Sequence, residues 1–371
     1  MSHDKINYIV ALLYFIMPFY FKSNLGFALP YLLMPFIILI IYKELLKPNF
    51  MTGFLLFYTI LLILQNIFIY GIDFEFFIRK YLSIISFIIL FYSSGLFYNK
   101  KYDKYIIYSF ILVFIYGLYS SFSYIFSYEE FLIPGTCESN NLSPFNHLRC
   151  STFGEGNYYG NYISLIAILY SDNRKISFLS FISSLVSFSP VAIVITYYIL
   201  FKKYNKFIIF SILSAIIFMF INIDNIILAL KSETSSFGER LEFFRAAFEM
   251  GFKNIFIGVG MGQYGVNLEK YTDFSHFIIA SLSSARYIPN NNLAELFSEQ
   301  GLFGLFFYFM YLRRFSLGKI GSLSNQSVIY FIIIIGLAMP TLYLSFVAVL
   351  SGAIFAKLKI SSQSALSNKC S

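Results

Sequence analysis

Long apolar runs separated by short polar segments extend along most of the chain. A helix needs about 20 mainly apolar residues to cross a bilayer, so these runs predict a polytopic all-α membrane protein with twelve spans. The spans are predicted at 6–21, 26–42, 50–70, 80–98, 105–127, 157–171, 176–188, 190–201, 207–222, 293–312, 326–339 and 341–356. We expect the whole chain, 1–371, to form one integral membrane domain with a first loop at 128–156 and a large loop at 222–292.

Two apolar segments are too long for one span and short for two, and each has a proline near its middle. They are 176–201, with Pro190, and 326–356, with Pro340. Lys and Arg residues flank both ends of each segment, and such residues concentrate in cytoplasmic loops. Each segment is therefore predicted to be a tight hairpin or re-entrant pair with both ends on the cytoplasmic side.

Composition and charge support this class and orient the protein. Hydrophobic residues make up 58% of the chain and charged residues 12%, with a net charge of +8 and a mean hydropathy of +0.70. On the predicted topology, 17 of the 27 Lys and Arg residues lie on the cytoplasmic side, but only 4 of the 19 Asp and Glu residues. The basic charge thus indicates orientation and not a nucleic-acid partner. Both termini are expected inside, and both loops outside.

The cysteines agree with that orientation. Cys137 and Cys150 share the first outer loop, where an oxidising compartment permits a disulfide, although two free thiols remain the alternative. His147 is the only histidine near them and no paired metal-ligand spacing is present. We expect no metal site and no cofactor.

Cations on the outer side oppose the orientation signal and are therefore candidates for binding an anion. Arg79 and Lys80 open the fourth span, where they either anchor to lipid headgroups or bind a lipid phosphate. In the large loop, 235–249 predicts a helix entered through serine and glycine. Within it Arg245 has Glu242 and Glu249 at helical spacing and should be internally paired. Arg240 has no such partner, so it either binds an anionic ligand or is a solvated surface residue.

A glycine-rich segment and an asparagine run follow. Gly258, Gly260 and Gly262 resemble a phosphate loop, but no βαβ unit accompanies them, so their density indicates backbone flexibility or close approach to a ligand. The chain then returns to the membrane through three consecutive asparagines, followed by two glutamates one helical turn apart. Carboxylates there are expected to face a polar cavity. These residues are Asn290, Asn291, Asn292, Glu295 and Glu299.

The order of these features resembles the O-antigen polymerase and O-antigen ligase superfamily. An arginine-led helix precedes G-V-G-x-G at 258–262, and the asparagines precede L-x-E-L-x-x-E-x-G-L-x-G at 293–304. The segment from Arg149 to Tyr159 is similar to a family segment in which an arginine precedes G-T-F and an asparagine follows, with Ser151 at the usual glycine. Ligases of this family place a histidine where Asn290 stands, so the resemblance favours a Wzy-type polymerase.

The resemblance implies a metal-independent glycosyltransferase of lipopolysaccharide biosynthesis in the bacterial inner membrane. Its substrate would be an undecaprenyl-pyrophosphate-linked oligosaccharide, handled at the periplasmic face, with membrane lipid and a chain-length regulator protein as further partners. Arg240 and Arg149 would stabilise the pyrophosphate leaving group. The other residues assigned to the pyrophosphate are Arg79, Lys80, Arg245, Arg286, Gly258, Gly260 and Gly262. The general base is left open among Glu239, His276 and Glu295.

Two alternatives stay open. A ligase would use the same donor and transfer the glycan to lipid A-core. A lipid-linked oligosaccharide flippase or other transporter would be expected to place polar residues at the bilayer midplane and to show repeated halves. The predicted spans are nearly uncharged, and the polar residues are concentrated in the outer loop.

Overall fold

The structure is a computed structural model that describes residues 3–19, 32–125, 151–153, 156–202, 236–271, 289, 291–338, 342 and 344–370. Its helices are α1 (His3–Ile16), α2 (Met34–Leu45), α3 (Phe50–Phe68), α4 (Phe74–Phe97), α5 (Asp103–Ile125), α6 (Gly156–Leu169), α7 (Arg174–Ser187), α8 (Pro190–Phe201), α9 (Ser236–Lys253), α10 (Tyr264–Asn267), α11 (Asn292–Arg313), α12 (Asn325–Ala338) and α13 (Ser345–Cys370). Short 3-10 helices lie at Lys100–Tyr102, Ser151–Phe153 and Leu268–Lys270, and β1 (Lys319–Ile320) pairs antiparallel with β2 (Leu323–Ser324). The mainly helical structure, with its apolar helices, confirms the prediction of an all-α membrane protein.

Three described segments are long and apolar enough to cross a membrane: Phe50–Phe68, Lys100–Ser123 and Ser345–Ser364. Shorter apolar helices occur at Ile6–Ile16, Pro190–Phe201 and Asn325–Leu337. The span predicted at 207–222 lies outside the described residues. The count of twelve spans and their orientation therefore stay predictions.

The two longest of the described helices, α4 and α13, pack along each other. A Cβ on Gly352 of α13 would lie 2.3 Å from the carbonyl oxygen of Phe91, so the absence of a side chain lets the backbones approach. Ser94 of α4 donates a hydrogen bond to the Val349 carbonyl (2.6 Å) and meets the Tyr14 hydroxyl (2.9 Å). A buried polar group is thus satisfied inside an apolar interface.

The segment predicted as a hairpin around Pro190 consists of the packed helices α7 and α8. Phe188 ends α7 in the left-handed region at φ 48°, and Pro190 occupies the first turn of α8. Proline is tolerated there because the first-turn N–H groups have no intrahelical acceptor. Ser189, in the turn between α7 and α8, packs on α6. A Cβ on Gly160 of α6 would lie only 2.3 Å from the Ser189 Cβ.

Three predicted boundaries differ in the structure. The fourth helix begins at Phe74 instead of residue 80, because Asp73 caps it by accepting from the N–H groups of Glu75 and Phe76. The last helix continues to Cys370, well past residue 356, since neither glycine nor proline follows Gly352. The span predicted as continuous over 293–312 is broken at Gly301.

Candidate active site

The break in α11 creates the attachment point for the glycine-rich loop. Gly301 adopts φ 60° and ψ −143°, so the carbonyls of Ser298 and Glu299 lose their usual donors one turn further on. Val259 N–H donates to the first of these carbonyls (2.8 Å) and Gly260 N–H to the second (3.1 Å). The loop thus replaces the missing helical hydrogen bonds.

The glycines allow this contact. A Cβ on Gly258 would lie 2.2 Å from the Glu299 carbonyl carbon, and one on Gly262 would lie 2.5 Å from the Phe76 carbonyl oxygen of α4. Both have positive φ, at +69° and +71°. The structure therefore gives these glycines a packing role between α11 and α4.

The loop amides have acceptors within the protein. Besides the two bonds to α11, Gly258 N–H donates to the Asn254 carbonyl (2.8 Å) and Met261 N–H to Gln65 Oε1 (3.1 Å). The backbone N–H of Gly262 points to the Glu299 carboxyl. A pyrophosphate-binding role for Gly258, Gly260 and Gly262 stays a prediction, but in this conformation their N–H groups face protein acceptors and not an external phosphate.

Two buried glutamines fix the loop to its neighbours. Gln65 of α3 donates through Nε2 to the carbonyls of Ile257 (2.6 Å) and Glu299 (2.8 Å). Gln263 accepts from the Asp73 N–H (2.8 Å) and donates to the Asp73 carbonyl (2.9 Å). Neither glutamine was predicted from the sequence to be a functional residue. Gln65 lies in the last turn of the apolar helix α3, where a buried polar side chain signals a specific partner.

A buried ion pair lies beside this loop. Lys80, in the second turn of α4, contacts Glu295, in the first turn of α11; their side chains are 14% and 0% exposed. Glu299 follows one turn later and is also buried, with the N–H groups of Gly262 and Tyr264 directed at its carboxyl. The two glutamates therefore face a polar cluster formed by α3, α4, α11 and the loop.

The two neighbouring cations of α4 have different surroundings. Arg79 is 72% exposed and pairs with Glu75 on its own helix at 2.6 Å, whereas Lys80 points inward to Glu295. The prediction that Arg79 and Lys80 anchor to lipid headgroups or bind a lipid phosphate stays a prediction, but the two side chains have different partners. Consecutive residues are separated by about 100° around a helix, so only one of them can reach α11.

Helix α9 lies against α11 and confirms the helix predicted from residue 235. Its Gly251 packs on Phe297, where a Cβ would lie 2.4 Å from the ring, and Tyr264 donates to the Phe243 carbonyl (2.8 Å). Glu239 and Arg240 are one turn before Phe243, and their side chains lie outside the described part. The predicted arginine helix is thus packed on the helix that carries Glu295.

The exposed charges of α9 pair with one another. Arg245 donates to Glu242 (2.9 Å) and to Glu249 (3.4 Å), as its spacing predicts. Lys253 contacts Glu249 at 2.9 Å, and this hydrogen bond lowers the pKa of the Glu249 carboxyl below its ordinary value. A pyrophosphate contact by Arg245 stays a prediction, and it would have to compete with these pairs.

The described asparagines have structural contacts. Asn291 caps α11, since its Oδ1 accepts from the Ala294 N–H at 2.6 Å. Asn292 is buried, and its Oδ1 accepts from the Leu342 N–H at 3.3 Å. Asn290 lies outside the described residues.

The segment after Arg149 is anchored between helices. Ser151 donates to the Val113 carbonyl (2.7 Å) and Thr152 to the Pro18 carbonyl (2.9 Å). Ser151 adopts φ 48°, in the left-handed region that favours glycine, which gives a physical reason for the family's usual glycine there. The predicted roles of further residues fall on undescribed positions and stay predictions: Arg149, Cys137, Cys150, His276 and Arg286.

In the described part of the chain, no group of three or more His, Cys, Asp or Glu residues could hold a metal ion. The polar cluster thus offers a lysine, two carboxylates and two amide side chains. Such a set can bind an anion and accept a proton.

Comparison with known families gives one match. Residues 161–309 match the model of the O-antigen ligase family, a range that begins in α6 and ends in α11. No curated protein gives a significant match. The family covers O-antigen polymerases and ligases, which are glycosyltransferase-type enzymes acting on lipid-linked saccharides. Residues 161–309 are therefore similar to the O-antigen ligase family, and the resemblance recognised from the motifs is confirmed.

Proposed function

We propose that the protein is an O-antigen polymerase of the bacterial inner membrane. It joins undecaprenyl-pyrophosphate-linked repeat units at the periplasmic face, without a metal, and both of its termini are cytoplasmic. A chain-length regulator protein is a further proposed partner.

The observation that carries this proposal is the buried contact between Lys80 and Glu295 beneath the large loop. A cation and a carboxylate meet there within the first two turns of their helices, next to the helix that carries Arg240. The group matches the needs of glycosyl transfer from a pyrophosphate donor, because that reaction requires positive charge at the leaving group and a proton acceptor at the nucleophile.

In the proposed reaction, a hydroxyl oxygen of one lipid-linked repeat attacks the anomeric carbon of the glycan on a second carrier. The bond from that carbon to the pyrophosphate oxygen breaks, and its electron pair stays on the pyrophosphate. Arg240 and Arg149, with Arg286, would stabilise this charge. The hydroxyl proton passes to a base, for which Glu239, His276 and Glu295 are the candidates.

Asn290 favours polymerase over ligase. It stands where ligases of the family place a histidine, and an asparagine amide cannot act as a base at neutral pH. Transfer to lipid A-core remains the second candidate activity, favoured by the description of the matching family. A flippase is less well supported, because the described ion pair lies near helix starts and not at mid-span.

The test is the banding pattern of lipopolysaccharide from the host strain with the gene deleted and then restored. A polymerase predicts core carrying a single repeat unit in the deletion, with the ladder returning on complementation. Core alone, together with long lipid-linked polymer, would indicate the ligase. Core alone without that polymer would indicate a failure of export, and an unchanged ladder would contradict all three activities.

A further inference from the structure

The ion pair occupies both functional groups that the proposed reaction needs. Glu295 is fully buried, whereas Lys80 retains 14% exposure. An ammonium in contact with a carboxylate stabilises its charged form and makes it a weaker proton acceptor. While this contact persists, Glu295 is therefore less able to accept a proton, and Lys80 is less able to bind an anion.

Lys80 is the member of this pair that an incoming anion can reach. Its ammonium is on a flexible four-carbon stem and has three donors, so it can change partner without movement of the helix. A diphosphate carries more negative charge than one carboxylate and competes strongly for a lysine. Glu295 is held on α11 by the Asn291 cap and the loop contacts, so it would stay in place.

We propose that Lys80 acts as a substrate-operated latch on Glu295. On binding, the diphosphate of the lipid-linked donor draws the Lys80 ammonium away from Glu295. This movement uncovers the buried carboxylate, which then accepts the proton of the attacking hydroxyl. The base is thereby activated only when a donor is bound, which protects the donor from attack by water in an open site. This inference rests on the proposed function and selects Glu295 among its candidate bases.

A binding measurement tests the latch without requiring turnover. The full-length protein in lipid nanodiscs is titrated with undecaprenyl diphosphate, the carrier that leaves in the proposed reaction. If the diphosphate must displace Glu295 from Lys80, Glu295→Gln should bind it about tenfold more tightly, the size of one charge-assisted contact. The gain should vanish when Lys80→Met is combined with Glu295→Gln. That double variant leaves neither member of the pair as a buried lone charge, so it is the safer comparison for folding.

An exposed Lys–Glu pair at the end of α2 supplies a matched control. Neither Glu44 nor Lys47 is assigned to the pyrophosphate, and Glu44→Gln frees Lys47 by the same chemical change as Glu295→Gln frees Lys80. Its affinity for undecaprenyl diphosphate should equal that of the wild type. An equal gain in both variants would indicate a general effect of lost negative charge and would overturn the latch.

Glu299 also interacts electrostatically with Lys80 and is tested in the same way. The latch expects Glu299→Gln to change the affinity less than Glu295→Gln. The latch is overturned if Glu295→Gln does not tighten binding, or if it tightens binding equally when Lys80→Met is also present. The polymerase assignment is then still tested independently by the lipopolysaccharide gel. No binding of undecaprenyl diphosphate by the wild type overturns both the latch and the proposed donor.

Discussion

Gln65 of α3 and Glu299 of α11 are joined by a hydrogen bond in which Gln65 Nε2 lies 2.8 Å from the Glu299 carbonyl oxygen. The same amide group reaches Ile257 and Met261 of the large loop. One buried side chain therefore holds two separate parts of the chain to α3, at the level of the break in α11.

Replacing Gln65 by methionine should destabilise the protein and abolish polymer formation. The change keeps a similar side-chain volume but leaves the Ile257 carbonyl and the Met261 N–H without this partner, at about 1–3 kcal/mol for each unsatisfied group. The Glu299 carbonyl keeps the Gly260 N–H as a donor. Thermal unfolding in detergent and the lipopolysaccharide gel measure the two effects. The neighbouring Asn66 is exposed, so Asn66→Met is the control and should behave as the wild type. An unchanged melting temperature for Gln65→Met would contradict the role of Gln65 in holding the loop and α11 to α3.

Gly258→Ala should be strongly destabilising. The added Cβ would meet the Glu299 backbone at 2.2 Å, where no flexible side chain can move aside, and the residue has φ +69°. A left-handed alanine alone costs about 1–2 kcal/mol. Gly53→Ala is the matched control, because a Cβ on this glycine of α3 meets nothing within 4 Å. It should leave the unfolding temperature unchanged or raise it slightly. Equal behaviour of the two variants would be evidence against close packing of the loop.

Asn291→Ala should cost about 1 kcal/mol of stability, since it removes the side-chain cap of α11. Asn291→Ser can still accept from the Ala294 N–H and should recover most of the loss. Chemical denaturation of the purified protein compares the three forms. A serine variant no better than alanine would show that the asparagine acts through something other than the cap.

Arg240→Ala should abolish the lipopolysaccharide ladder while the protein remains in the membrane. The reason is loss of positive charge at the pyrophosphate in the proposed reaction. Lys253→Ala on the same helix removes an exposed cation that already pairs with Glu249, and it should keep a normal ladder. Immunoblotting of the membrane fraction checks the amount of each variant. A full ladder from Arg240→Ala would remove this residue from the mechanism.

Features set by local spacing were predictable. Arg245 was expected to pair within its own helix because its partners are three and four residues away. The division into two helices at Pro190 followed from the length of the apolar segment and the proline near its middle. The helix that carries Arg240 was also predicted, from its serine and glycine start.

Features set by tertiary contact were not predictable. Lys80 and Glu295 are separated by 215 residues, and nothing in either segment identifies its partner. The break at Gly301 was hidden inside an apolar pattern that reads as one continuous span. The glycine-rich loop predicted backbone flexibility or close approach to a ligand, because composition alone does not distinguish a ligand from the backbone of another helix.

The break at Gly301 also determines how related proteins can be recombined. Because the loop donates to the Ser298 and Glu299 carbonyls, the first half of α11 is incomplete without residues 255–263. A chimera that exchanges the large loop but keeps the host α11 would join surfaces that were not selected together. The smallest exchangeable module is therefore the continuous stretch from α9 through the end of α11, transferred with a compatible α3 and α4.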